Sequence, residues 1–189
     1  MGKIAITRNE YLSSIAALKQ AAQALAGSLS LTQLSWQPKN GESWSVLECL
    51  DHLAIATSVY LDAMEPAILG APRGKSPGLL QSAGIPSTLF LRKLEPPVTR
   101  KAPAPAKIRP RPTLNPESIL PGYLKAMDRV TSFVNNTADR DLNAVRFRNP
   151  LIPVLRLTLG TGLLIIAGHG RRHLWQAEQV SKEPDFPKL

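Results

Sequence analysis

Eleven of the seventeen prolines in this 189-residue chain fall between Pro66 and Pro116. Proline fixes φ and lacks an amide donor, so such density forbids a long helix or a central strand there. The long regular elements must lie on either side, and both sides carry helical periodicity. Over residues 9–27, Tyr11, Ile15, Leu18, Ala22 and Leu25 recur at helical spacing in an alanine-rich stretch that stops at Gly27. Residues 28–44 read as a connector with Trp36, Pro38 and the turn-prone Asn40-Gly41. Ser45-Val46-Leu47-Glu48 is a capping box, in which the serine caps an amide and the glutamate reaches back. It opens a second helix over 46–69, apolar along Val46, Leu50, Leu53, Val59, Leu61, Met64 and Ile68. A third helix spans 117–137, with Ile119, Tyr123, Met127, Val130 and Val134 on one face. Asn115 suits its cap and Pro116 its first turn, and Pro121 is expected to delay the regular helix. Residues 139–156 read as irregular, and a fourth helix covers 157–181. No internal repeat and no strand is evident. The expected fold is all-α: a four-helix bundle with a long proline-rich crossover at 70–114 between helices 2 and 3, holding one short helix at 87–94.

The length suits a single domain over 1–189 with its own core. The lone Cys49 excludes an intrachain disulfide framework, a multi-cysteine zinc finger and an iron–sulfur cluster within one chain, and it suits a reducing compartment. The N-terminus has no secretory apolar core, and the most apolar stretch, 157–168, is too short to span a bilayer. A cytoplasmic protein with no membrane partner is the expectation. The net charge of +9 is concentrated in the crossover. Arg73, Lys75, Arg92, Lys93, Arg100, Lys101, Lys107, Arg109 and Arg111 face one acid there, Glu95. A solvated basic arm of this kind binds polyanions by counterion release. Phe90 is its single aromatic, however, which disfavours nucleic acid.

The chain has three histidines, and two form His169-Gly170-Arg171-Arg172-His173. Four helical residues turn the chain by about 400°, so both imidazoles project from one face. That spacing suits two ligands of one divalent metal. The third, His52, sits near the start of helix 2 at its core-facing edge. Three histidines plus an open position is the shell of a catalytic zinc site, and bundles hold metals between facing helices. The alternative for an H-x3-H pair is a solvated helix face. Cys49 reads as a small buried hydrophobe rather than a fourth ligand. Glu48 is explained by its cap, and Asp51 is either a partner that orients an imidazole or simply solvated. Gly162, Gly168 and Gly170 mark either room beside a metal or close helix packing. No H-E-x-x-H, G-x-S-x-G or P-loop is present. Trp36, Trp44 and Trp175 read as core and connector aromatics.

Leu34-Ser35-Trp36-Gln37-Pro38, then Glu42-Ser43-Trp44-Ser45-Val46-Leu47-Glu48 running into His52-Leu53, then His169-Gly170-Arg171-Arg172-His173-Leu174-Trp175-Gln176 carry a family likeness. The pattern of a Trp-Ser helix start, a histidine seven residues on and a late H-x3-H followed by Gln resembles the DinB/YfiT-like superfamily. The likeness covers the helical parts of the chain. The crossover is longer and more basic than the family pattern. The resemblance implies a bundle of up-down-down-up order and a zinc or nickel ion on His52, His169 and His173. It also implies thiol-dependent transferases or isomerases among relatives, using bacillithiol, mycothiol or glutathione, with homodimers frequent. Three functions follow: a metal-dependent enzyme using a low-molecular-weight thiol on a small-molecule substrate, a bundle with a structural or vestigial metal, or a polyanion-binding module acting through the crossover.

Overall fold

The computed structural model describes residues 2–73, 78–98 and 103–188. Lys75, Arg100 and Lys101 of the basic segment lie outside the described residues. Among those described, six α-helices dominate: α1 (Arg8–Gly27), α2 (Leu31–Ser35), α3 (Val46–Met64), α4 (Gly84–Leu94), α5 (Pro116–Asn136) and α6 (Leu159–Val180). The four long helices are those expected, with ends shifted by a few residues. The short α2 falls in the region read as a connector. A 3-10 segment, Glu65–Gly70, continues α3 where Pro66 enters.

Each long helix starts at a side-chain cap. Thr7 and Glu10 form a capping box on α1, and Ser45 and Glu48 form the one expected on α3. Glu48 also accepts a hydrogen bond from Gln37 Nε2 at 2.8 Å. Asn115 Oδ1 accepts from the Glu117 amide at 3.3 Å, which fixes the first turn of α5. That turn forms ahead of Pro121, so the expected delay does not occur. The carbonyl that Pro121 leaves unpaired belongs to Glu117, and both residues face solvent, where water satisfies it.

The expectation of no strand is corrected. Strands β1 (Ala5–Thr7) and β2 (Leu79–Gln81) pair antiparallel, as do β3 (Arg146–Arg148) and β4 (Arg156–Thr158). Each strand has three residues, too short for alternation to stand out in a sequence.

The core lies between the long helices. α3 packs on α5 and α6, and α1 packs on α5 and α6. The first ten residues of α6, from Leu159 to Gly168, are all buried, because α1, α3, α4 and β2 cover it from different sides. The apolar run at 157–168 is therefore a central core segment. By length and composition Val46–Gly70 could cross a membrane. Here its Val46, Leu50, Leu53, Leu61 and Met64 are buried in the shared core.

The crossover is not an extended arm over its described length. β2 pairs with β1, and α4 lies against α6. Glu95 accepts two hydrogen bonds from the Arg171 guanidinium, at 2.7 and 2.5 Å. Arg73 lies 3.6 Å from Asp139.

Candidate metal centre

α3 and α6 run antiparallel, and two contacts fix their register. At one end Met64 lies beside Gly162, and at the other His52 meets His169. A Cβ built on Gly162 would come within 2.8 Å of Met64 Sδ and 2.9 Å of the Phe147 ring. Gly162 therefore serves close helix packing rather than room for a substrate. Gly170 does the same against Leu18, whose Cδ1 would lie 2.8 Å from an added Cβ. Gly168 sits against Leu94 and Glu95.

The register brings all three histidines together. One ligand atom from each of His52, His169 and His173 lies within 4.8 Å of the others. The rings stand nearly edge to face, with centroids 4.8 Å apart for His52–His169, 4.4 Å for His52–His173 and 4.5 Å for His169–His173. His52 Nε2 and His169 Nε2 are 3.1 Å apart. Cys49 is buried outside this group, and burial pushes its thiol pKa up, as expected of a small hydrophobe.

The tautomer of His52 follows from its other nitrogen. Nδ1 lies 2.5 Å from the backbone oxygen of Ile108, which can only accept. The proton therefore sits on Nδ1, and the Nε2 lone pair faces His169. A backbone carbonyl behind an imidazole is the usual outer-shell partner of a metal-binding histidine. Ile108 lies in a 3-10 turn, Ala106–Ile108, near the end of the crossover. Three residues on, Arg111 binds Asp51, the neighbour of His52. The Arg111 amide donates to Asp51 Oδ2 at 2.8 Å, and Nε and Nη2 donate to Oδ1 at 3.0 and 2.5 Å. Asp51 is fully buried, so this carboxylate is neither solvated nor bonded to an imidazole. It holds the crossover down over the site instead.

All three imidazoles are held neutral. Burial lowers the pKa of His52, only partly opposed by its bond to Ile108 and the charge of Asp51. His169 is driven well below its usual value by burial, then by His173, His52 and Arg172. Burial, His52 and Arg172 push His173 down to about 3, against a hydrogen bond with Gln176. Neutral imidazole is the form that binds zinc or nickel. The buried Nδ1 of His173 has no hydrogen-bond partner in the protein, a cost of about 1–3 kcal/mol unless a ligand satisfies it. The donor set, its protonation and this orphaned nitrogen all fit a metal ion.

Sequence reasoning missed two parts of the site. Trp44, read as a connector aromatic, packs on His52 and His173 with centroids 4.7 and 5.8 Å away. Its place directly before the Ser45 cap was the available signal. The Ile108 carbonyl and Arg111 had none, since their partners lie 56 and 60 residues away.

No curated protein and no solved structure matches the chain. The family profile of the DinB superfamily matches residues 15–177, a span that holds all three histidines, Trp44, Asp51 and Arg111. The chain belongs to the DinB superfamily.

Proposed function

We propose that this protein is a divalent-metal-dependent enzyme with zinc or nickel on His52, His169 and His173. In this reading it acts on a small-molecule substrate with a low-molecular-weight thiol, as an S-transferase or isomerase. The observation that carries it is the convergence of three neutral imidazole donors within 4.8 Å of one another. Three protein ligands leave a position open, which distinguishes catalytic from structural zinc. A bound ion would supply Lewis-acid chemistry, lowering the pKa of a thiol so that it is nucleophilic at neutral pH. The protein's own residues supply the rest. The Ile108 carbonyl keeps the His52 proton on Nδ1, the Asp51–Arg111 pair holds that carbonyl in place, and Trp44 shields two of the rings from water.

The scaffold in this reading is a four-helix bundle of up-down-down-up order. Support comes from paired contacts. The Tyr11 hydroxyl donates to the Leu163 carbonyl, and Leu18 sits at Gly170, so α1 runs with α6. Arg8 donates to the Val134 carbonyl, and Lys19 bonds Asp128, so α5 runs against α1. The buried lone Cys49 supports a cytoplasmic, reducing location. One domain and a homodimer complete the reading, the dimer by family resemblance alone.

Titrating cobalt-loaded protein with bacillithiol, mycothiol or glutathione tests the thiol role. A thiolate-to-cobalt charge-transfer band, absent in His169→Ala, is the expected result. Cobalt-loaded protein whose spectrum none of the three thiols alters would contradict it.

A further inference from the structure

The hairpin β3–β4 carries a surface that the metal site does not use. Its turn, residues 149–155, is firmly built. The Asn149 amide donates to the Leu155 carbonyl, and the Leu155 amide to the Ile152 carbonyl, each at 2.9 Å. Asn149 Oδ1 accepts from the Leu151 and Ile152 amides at 2.8 and 3.1 Å. Pro150 and Pro153 stiffen the turn further. The turn is thus braced by its own hydrogen bonds, yet its tip turns aliphatic side chains to water. Val154 is 88% exposed, Ile152 50% and Leu155 46%. Leu69 is 85% exposed, and its neighbour Gly70 lies against Val145, next to the start of β3.

Beneath this tip the strand register sets Arg148 directly opposite Arg156. Opposed residues of an antiparallel pair project from the same face, and like charges there repel. Arg146, Arg148 and Arg156 are all exposed, and among the described residues none forms an ion pair. The sequence has no acid between Asp141 and Glu178. Folding alone gives no reason for a rigid aliphatic tip in water above a repelling arginine pair. A partner with an anionic surface and an apolar interior accounts for both. Nucleic acid would suit the arginines but not the tip, since Ile152, Val154 and Leu155 offer no aromatic face on which bases stack.

We propose that this hairpin docks the protein on an anionic lipid bilayer. Ile152, Val154 and Leu155 enter the boundary between headgroups and acyl chains, and the arginines meet lipid phosphates. This is attachment at the surface rather than a span. The hairpin stands over Gly162 through Phe147, about 10 Å along α6 from His169, so docking leaves the histidine end free.

The test is co-sedimentation of the full chain with vesicles of phosphatidylcholine, with and without phosphatidylserine. Binding to the anionic vesicles alone is expected. Val154→Asp should lower it about tenfold or more, and each of Arg148→Gln and Arg156→Gln about fivefold. Circular dichroism confirms that each variant is folded, and Val154→Ser repeats the tip test with a neutral residue. No binding to anionic vesicles would overturn the proposal. So would binding that ignores both Val154 variants and is fully displaced by duplex DNA, which marks a general polyanion surface.

Discussion

At one end of the α3–α6 pair, Met64, Phe147 and Gly162 meet with no titratable group among them. At the other, seven residues further along α6, His169 meets His52 over an indole ring and beside an orphaned nitrogen. The same two helices make both ends. The tight end fixes register, because backbone and side chain meet where no Cβ fits. The polar end inherits that register, so imidazoles 117 residues apart in sequence arrive with nitrogens 3.1 Å apart. Close packing at one end can therefore set the geometry of the histidine cluster at the other.

Four perturbations bear on this division, in order of decreasing effect. Met64→Ala removes a fully buried side chain at the tight end and should cost about 2–5 kcal/mol, read by urea unfolding. The folded fraction should bind metal more weakly than the parent protein, because the contact against Gly162 that sets the register is gone. His169→Ala breaks the polar end. Metal affinity by calorimetric titration should fall more than about 100-fold, beyond the 10- to 100-fold of an outer-shell loss, while the metal-free protein becomes no less stable. Arg111→Ala leaves the histidines in place but removes the guanidinium bonds to Asp51, keeping only the backbone one, and metal affinity should fall about tenfold. Arg111→Lys should not restore it, because an ammonium cannot reproduce two guanidinium bonds.

The smallest effect concerns pH, in metal-free protein. The histidines have folded pKa values below 6.5, so below pH 6.5 the unfolded chain binds protons that the folded chain refuses. Stability therefore falls as pH drops from 6.5, and for His173 it keeps falling until about pH 3. His169→Ala should flatten that slope by up to about 1.4 kcal/mol per pH unit, measured as unfolding midpoints across pH. An unchanged slope would mean that His169 titrates normally in the folded state.

The long helices were legible because their signals are local: a repeat of apolar residues in α1, α3 and α5, with a readable cap at the start of α3 and of α5. The three histidines were legible for the same reason: the Ser45–Glu48 box fixes where α3 starts, and therefore which face His52 takes. The turn at Ile108 and the Asp51–Arg111 pair were not. Each joins segments more than 50 residues apart, and nothing near either partner in sequence names the other. The same holds for β1 and β2, whose three-residue strands pair across some 70 residues. The two readings of Gly162 also needed the structure, since only the positions of Met64 and Phe147 decide between packing and open space.

The most direct test of the central claim is the metal content of untagged protein purified without chelator, by mass spectrometry, beside His52→Ala. The account predicts about one zinc or nickel per chain, lost in the variant. A folded protein that holds no metal and takes none up, or a His52→Ala variant that keeps full occupancy, would contradict it.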